Sequence, residues 1–206
     1  MTVTQIQPLN KTRSRVFLDG EFAFVLYKGE LRSFGIREGE DLSEADYEKI
    51  LREILPKRAR LRAMNLMQSK SYTVQELRRK LQEGGYPEEI VENALEYVAS
   101  YRYTDDVRYA ADYIRYHGAD RGRRRLQIDL QRKGVSAEDF DRAWAECEEL
   151  GLTQEEDALI REMMEKKHFS PEEATPQEQQ KMAAFLMRRG FSSEGIRRCM
   201  KGLPDS

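Results

Sequence analysis

The sequence predicts a mainly α-helical protein: an elongated array of three tandem three-helix repeats that follows a small N-terminal β-hairpin or meander. Three observations support this fold class. An apolar pattern recurs three times, a glycine stands at the same point of each copy, and strand-like patterns are confined to the N-terminal segment. The 206 residues, 39% hydrophobic and 35% charged, suffice for one large or two small domains with a modest core.

The N-terminal segment, residues 1–42, is predicted to form the β structure. Two apolar runs within residues 15–27 flank an Asp-Gly pair at residues 19–20, which is the strongest short signal of a hairpin. A second turn signal follows at residues 28–29. Residues 31–36 could therefore supply a third short strand.

Residues 43–58 are predicted to form a linking helix. Ser43 with Asp46 three residues later is typical of a capped helix start, and Pro56 suits the first turn of the helix that follows. The apolar side chains between these signals repeat at helical spacing on one face: Tyr47, Ile50, Leu51, Ile54 and Leu55.

Three copies of one seven-position pattern occupy the rest of the chain, in residues 59–104, 105–152 and 153–206. In each copy a leucine precedes a glycine by four positions, and apolar residues or cysteine follow at helical spacing. We interpret each copy as a helix, a glycine that ends it in a left-handed conformation, and a second helix, with a further helix upstream. The copies consist of Leu81, Gly85, Tyr86, Val91, Ala94, Leu95 and Val98; Leu130, Gly134, Val135, Phe140, Ala143, Trp144 and Cys147; and Leu186, Gly190, Phe191, Ile196, Cys199, Met200 and Leu203.

Local signals predict where the repeat helices begin. Thr73 starts a capping-box pattern, Pro87 suits a first helical position, and Ser136 and Ser192 suit N-caps. A polar, proline-containing loop at Ser170–Pro176 lengthens the third copy. Because units of about 50 residues bury little surface alone, we expect the repeats to stack into an array.

No segment indicates a membrane protein, an exported protein or a disulfide scaffold. The apolar runs are far shorter than the roughly 20 residues needed to span a bilayer, and the first residues lack the apolar region of a signal peptide. Two cysteines fit a reducing compartment. We therefore expect a cytoplasmic protein without membrane association.

The sequence lacks the patterns of common catalytic sites. It has no phosphate-binding, dinucleotide-binding or nucleophile-elbow glycine motif, and neither His117 nor His168 has a metal-ligand partner at suitable spacing. Cys147 and Cys199 fall at apolar positions of the repeat, which predicts buried thiols, and Trp144 likewise falls at a predicted core position. We expect no enzyme: no catalytic residue, no cofactor and no metal.

Basic residues are clustered although the formal net charge is only −2. Several clusters precede a repeat glycine, where cations complement the negative end of a helix dipole, so a structural role accounts for them as well as binding does. The Arg121–Arg125 cluster instead begins a helix, where cations are disfavoured, and residues 121–133 hold six basic residues and one acid. A polyanion or an acidic protein surface is the favoured partner there. The candidate partner-binding residues are Arg78, Arg79, Lys80, Arg121, Arg123, Arg124, Arg125, Arg132, Lys133, Arg188, Arg189, Arg197, Arg198 and Lys201.

Three stretches of the chain resemble the RecX family of RecA regulators. They are residues 73–81 (TVQELRRKL), 103–110 (YTDDVRYA) and 121–135 (RGRRRLQIDLQRKGV). The last two match the family's second-repeat signature almost throughout, with Thr104 in place of the usual apolar residue. The resemblance extends over about residues 59–203.

The resemblance implies a non-enzymatic modulator, a monomer that binds the groove of the RecA filament on single-stranded DNA with weak direct DNA contact. It further implies inhibition of recombinase, ATPase and coprotease activity in DNA repair and the SOS response. Two alternatives stay open: a helical-repeat adaptor for an unrelated acidic protein, and a direct nucleic-acid-binding protein. The near-neutral net charge argues against tight indiscriminate DNA binding.

Overall fold

The computed structural model describes residues 1–200. The chain divides into two compact units, Met1–Asp105 (unit 1) and Asp106–Ser206 (unit 2). The predicted fold class is confirmed: a small N-terminal sheet is followed by helices, and no strand lies beyond residue 60 within residues 1–200. In that described part of the chain, no helix is both long enough and apolar enough to cross a bilayer.

Unit 1 begins with a three-stranded antiparallel sheet in the order β1-β2-β3. The strands are β1 (Val3–Pro8), β2 (Arg13–Leu18) and β3 (Glu21–Tyr27). The predicted hairpin at Asp19-Gly20 is confirmed, with φ values of 49° and 91°. Positive φ at both positions matches the right-handed twist of the flanking strands.

The prediction of a strand at residues 31–36 was wrong, because residues 31–33 end helix α1 (Lys28–Ser33) and residues 34 and 35 form a turn. The Glu30 carboxylate accepts a hydrogen bond from the Tyr27 backbone N–H at 2.7 Å, which caps the helix start. The third strand is instead β1, which pairs with β2. The sequence of β1 shows little apolar alternation, because only Val3 of this strand is fully buried.

The linking helix and the first repeat are joined without a break. Helix α2 (Glu44–Lys49) continues through a π-helical turn (Ile50–Ile54) into α3 (Leu55–Ser69). Ser43 caps α2 as predicted, accepting a hydrogen bond from the Asp46 N–H at 3.1 Å. Pro56 lies in the first turn of α3, as predicted, directly after the π-helical turn.

Helices α4 (Val74–Glu83) and α5 (Glu88–Ser100) complete the first repeat, which shares one apolar core with the sheet and the linking helix. The Thr73 capping box is confirmed. Pro87 was predicted at the first helical position but is the N-cap, so α5 begins one residue later. Gly85 is left-handed (φ 80°), and a Cβ there would lie 2.3 Å from Val25 Cγ2 on β3.

Unit 2 consists of two three-helix repeats, each with its own apolar core. Gly134 and Gly190 have φ values of 92° and 89°, and Ser136 and Ser192 cap the helices that follow them, as predicted. The helices are α6 (Asp106–His117), α7 (Arg123–Arg132) and α8 (Ala137–Glu149), then α9 (Glu156–Lys166), α10 (Pro176–Arg188) and α11 (Ser193–Cys199).

Candidate functional site: the arginine cleft of unit 2

A cleft of about 850 Å³ lies between the second and third repeats, within unit 2. Its walls come from the end of α6, the start of α7, α8, the α8–α9 connection and the turn between α10 and α11. We call it the arginine cleft, because its charged lining consists of six arginines and three glutamates: Arg115, Arg121, Arg123, Arg124, Arg125 and Arg188, with Glu148, Glu155 and Glu156.

Two glycines form the junction between the repeats at this cleft. Gly122, the N-cap of α7, donates a hydrogen bond to the Arg189 carbonyl at 2.9 Å. A Cβ on Gly122 would lie 2.4 Å from the Gly190 carbonyl oxygen, and one on Gly190 would lie 2.3 Å from the Arg125 amide nitrogen. The carboxyl end of α10 therefore meets the amino end of α7, so that helix-dipole ends of opposite sign face each other.

Arg189 reinforces the same junction from the third repeat. Its Nη1 donates to Asp120 Oδ2 at 2.7 Å and to the Asp120 carbonyl at 3.2 Å. This predicted partner-binding residue is thus already engaged within the protein.

Asp129 neutralises two of the arginines that begin α7. Its Oδ2 accepts hydrogen bonds from Arg121 Nη1 at 2.9 Å and Arg125 Nε at 3.1 Å, and its side chain is only 10% exposed. Arg121 Nη1 also donates to the Tyr113 hydroxyl at 2.9 Å. Burial acts to lower the pKa of the Arg121 guanidinium, but Tyr113, Asp120 and Asp129 together outweigh it and raise that pKa. Arg121 stays charged and holds the start of α7 in place.

Arg123 contacts two side chains of α8. It donates to Asp141 Oδ1 at 2.8 Å, and its guanidinium lies 5.1 Å from the centre of the Trp144 ring. Trp144 was predicted to be a core residue; it packs against the core of the second repeat but is only partly buried, and it also lines the cleft. The repeat pattern hid this role, because Leu95 and Met200 occupy the same position in the other copies and are buried.

Arg124 and Arg188 are the cleft arginines that remain available to a partner. Both are exposed, they come from different repeats, and neither forms an ion pair with any residue of the described range 1–200. Large apolar side chains lie in the same lining: Ile128 and Met187 are 37% and 56% exposed. Sequence reasoning marked the arginines but missed the apolar surface beside them.

The basic cluster on α4 in unit 1 has a different environment. Arg78 binds both carboxylate oxygens of Glu92, at 2.7 and 2.8 Å. Arg79 and Lys80 both pair with Glu83, at 3.8 and 2.8 Å. Hydrogen bonds from Arg78 and Lys80 lower the pKa of Glu92 and of Glu83, respectively. This cluster is neutralised by neighbours in its own repeat.

The other predicted residues lie outside the cleft lining. Arg132 and Lys133 end α7, where the Lys133 ammonium is 5.8 Å from the centre of the Tyr109 ring. On α11, Arg197 is exposed, whereas Arg198 binds Asp157 through two hydrogen bonds of 3.0 and 2.8 Å and lowers the pKa of that carboxyl. The prediction for Lys201 falls outside the described residues.

The two thiols and one imidazole have shifted pKa values in the folded protein. Cys147 is buried and Cys199 is half-buried, so the second prediction of a buried thiol holds only in part; burial raises the pKa of both. Burial and Arg121 lower the pKa of His117. Residues 1–200 contain no group of three or more His, Cys, Asp or Glu that could hold a metal ion.

Family models match the three helical repeats. Residues 59–97 match the first three-helix domain of RecX, residues 105–143 the second, and residues 154–200 the third. Each match contains helices that the apolar repeat pattern predicts.

Whole-chain comparisons point to the same group of proteins. The Regulatory protein RecX of Caldanaerobacter subterraneus subsp. tengcongensis is 29% identical over 202 residues, covering 97% of this chain and 98% of that relative. The Regulatory protein RecX of Cronobacter sakazakii is 35% identical over 151 residues, covering 66% of this chain and 86% of that relative.

Solved structures share the fold. A crystal structure of regulatory protein RecX covers 98% of this chain and 99% of its own, with a TM-score of 0.61 and 24% identity. RecX from Lactobacillus salivarius covers 72% of this chain and 96% of its own, with a TM-score of 0.59 and 17% identity.

Proposed function

This chain belongs to the RecX family, and from that premise we propose that it is a non-enzymatic regulator of the RecA recombinase. It binds the RecA filament on single-stranded DNA and inhibits the ATP hydrolysis, strand-exchange and coprotease activities of that filament. Its setting is the cytoplasm, in DNA repair and the SOS response. It acts as a monomer and needs no cofactor.

The observation that carries this proposal is the pair Arg124 and Arg188 in the arginine cleft. Both cations are exposed in one lining, and neither has an ion-pair partner among residues 1–200. Arg124 lies in the first turn of α7, where the helix dipole disfavours a cation. An external carboxylate or phosphate removes this unfavourable interaction and gains charge-assisted hydrogen bonds.

The rest of the surface supports selectivity for a partner over bare DNA. The chain carries 37 acidic and 35 basic residues, so the protein as a whole does not attract polyanions. Most of the other basic residues named as candidates already pair with internal acids. Binding then depends on a matched local surface.

The proposal is tested by RecA ATP hydrolysis on single-stranded DNA, measured at increasing concentrations of this protein. We expect the steady-state rate to fall to a low plateau, because the regulator occupies the filament and restrains it. Adding the protein to a preformed filament shows whether assembly is needed for inhibition. An unchanged rate at concentrations that saturate filament binding would exclude inhibition, and absence of filament binding would exclude the proposal.

The exposed arginines also fit direct binding to nucleic acid, and salt dependence distinguishes this alternative. Binding through phosphates releases counterions, so affinity for bare DNA falls steeply as salt rises. We expect weak binding to bare single-stranded DNA. Tight, salt-sensitive binding without RecA would instead assign the cleft to nucleic acid, and filament-independent capture of another acidic protein would favour the adaptor function.

A further inference from the structure

We infer that the arginine cleft binds an acidic protein segment that places one apolar side chain between the two repeats. This inference rests on the proposed function, because it names the part of the partner that the regulator recognises. It commits to a protein surface and excludes the phosphate backbone of DNA as the ligand of this site.

The apolar part of the cleft comes from both repeats. Ile128 and Trp144 belong to the second repeat and Met187 to the third, and all three line the cleft. Exposed apolar side chains that share one concave surface are typical of a binding site. A phosphate backbone offers nothing apolar to cover them, whereas a leucine or phenylalanine side chain does.

The charged part of the cleft selects an acidic ligand. Among the lining glutamates, Glu156 already accepts two hydrogen bonds of 2.6 Å, from the backbone N–H and the hydroxyl of Ser192. Arg121 and Arg125 are held by Asp129. Glu148 and Glu155 also line the cleft and are exposed, so its cationic part is the pair Arg124 and Arg188. A guanidinium binds a carboxylate through two parallel hydrogen bonds.

The surroundings of Trp144 argue against stacking of a nucleic-acid base. The Arg123 guanidinium lies 5.1 Å from the ring centre, so it covers one face of the only tryptophan in the chain. Base recognition by aromatic side chains needs an open ring face. Trp144 is only partly exposed and also packs against Phe140, with 6.0 Å between the ring centres, so little of the ring is open to a stacking base.

The volume of the cleft matches a short peptide segment. At about 850 Å³ it lies within the range of roughly 300–1,000 Å³ that is typical of ligand sites. Such a volume accommodates a few residues of extended chain. The ligand is thus an acidic segment with an apolar anchor.

Trp144 makes the inference directly measurable, since its fluorescence reports on the cleft. The intact protein is titrated with a short peptide of Asp, Glu and Ser that carries one central Leu. One matched peptide replaces Leu by Ser, and a second replaces Asp by Asn and Glu by Gln. Oligo-dT is the nucleic-acid probe. We expect a saturable change with the first peptide and binding weaker by about tenfold with each matched peptide.

Two protein variants locate the binding. The double variant Arg124→Glu, Arg188→Glu is expected to bind the acidic Leu peptide at least about tenfold more weakly than the wild type does. Met187→Ser, at an exposed position, is expected to remove the difference between the Leu and Ser peptides while far-UV circular dichroism stays unchanged. Arg79→Glu with Lys80→Glu in unit 1 changes the net charge equally and should leave peptide binding as in the wild type.

The outcomes separate this inference from the proposed function. Absence of saturable peptide binding, equal binding of the Leu and Ser peptides, or tighter binding of oligo-dT at the same site would overturn the inference, even if RecA is inhibited. Peptide binding that follows the expected order upholds it, even if RecA ATP hydrolysis is unchanged. In the latter case the proposed function fails and the docking site stands.

Discussion

Both units contain basic clusters, but the surroundings of those clusters differ. On α4 in unit 1, Arg79 and Lys80 meet Glu83. At the cleft of unit 2, Arg124 and Arg188 meet no ion-pair partner among residues 1–200. The comparison shows that the number of arginines in a motif does not identify a binding surface. The positions of nearby carboxylates decide which cations remain available.

The repeat glycines differ in the same way. Gly85 in unit 1 approaches a side chain, the Val25 methyl group of β3, whereas Gly190 in unit 2 approaches backbone atoms of Arg125. Both have the left-handed conformation that ends a helix. In unit 2 this conformation also brings α10 against the start of α7. The fold thus places the end of the Arg188-containing helix beside the Arg124-containing turn.

The largest expected effect is that of Gly190→Ala. The new Cβ would lie 2.3 Å from the Arg125 amide nitrogen. The alanine would also have to keep the φ of 89°, which is strained for a residue with a side chain. We expect a loss of about 4 kcal/mol in the free energy of unfolding of unit 2, measured by urea denaturation with Trp144 fluorescence. Gly85→Ala should cost less, since a valine methyl moves more readily than a backbone amide.

Gly151→Ala is the matched control within unit 2. Its φ is 65° and its Cβ would meet nothing within 4 Å, so it tests backbone strain alone and should cost only about 1 kcal/mol. Equal losses for Gly151→Ala and Gly190→Ala would show that the close approach between the repeats has no energetic weight.

An intermediate effect is expected for Asp129→Asn. This change leaves Arg121 and Arg125 without their shared carboxylate, at a position where Asp129 is only 10% exposed. We expect a loss of about 2 kcal/mol in the free energy of unfolding, measured by urea denaturation. The corresponding change in unit 1, Glu92→Gln, removes a partner that is 42% exposed and should cost under about 1 kcal/mol. The reverse order would contradict the contrast between the units.

The smallest effect concerns His117. Its pKa is lowered in the folded protein by burial and by Arg121, with Lys133 acting in the same direction and Asp120 and Asp129 opposing. The unfolded chain therefore binds the proton more readily. This contribution to stability is present above the ordinary His pKa of about 6.5 and is lost as the pH falls through the lower folded value.

His117→Gln is expected to make the stability of unit 2 less sensitive to acid over that pH window. Thermal unfolding of the wild type and the variant between pH 7.5 and 5.5 measures the difference, since carboxylates that titrate at lower pH are common to both. Identical pH profiles would show that His117 is protonated equally in the folded and unfolded chains.

The helical part of the fold could be predicted from the sequence because its signals are local and repeated. The glycine, the following apolar residue and the capping serine each act within one turn, so Gly134 with Ser136 and Gly190 with Ser192 were located correctly. The prediction at residues 31–36 failed because residues 28–29 were interpreted as a turn, whereas Glu30 caps a helix that begins there.

The candidate site was predicted only in part, because its geometry depends on contacts between distant residues. The arginines that begin α7 were visible as a cluster. Their pairing with Asp129 and Asp141, and the presence of Trp144 and Met187 in one cleft lining, depend on how the helices and repeats pack. The prediction of Trp144 as a core residue holds in part, since the ring packs against the core of the second repeat and also lines the cleft.

The central claim is that Arg124 and Arg188, and not the α4 cluster, carry regulation of RecA. The direct test measures inhibition of RecA ATP hydrolysis by Arg124→Glu with Arg188→Glu, beside Arg79→Glu with Lys80→Glu, which changes the net charge equally. We expect the first variant to raise the half-inhibitory concentration by at least about tenfold and the second to match the wild type within about twofold. Wild-type inhibition by a folded Arg124→Glu, Arg188→Glu protein would contradict the account.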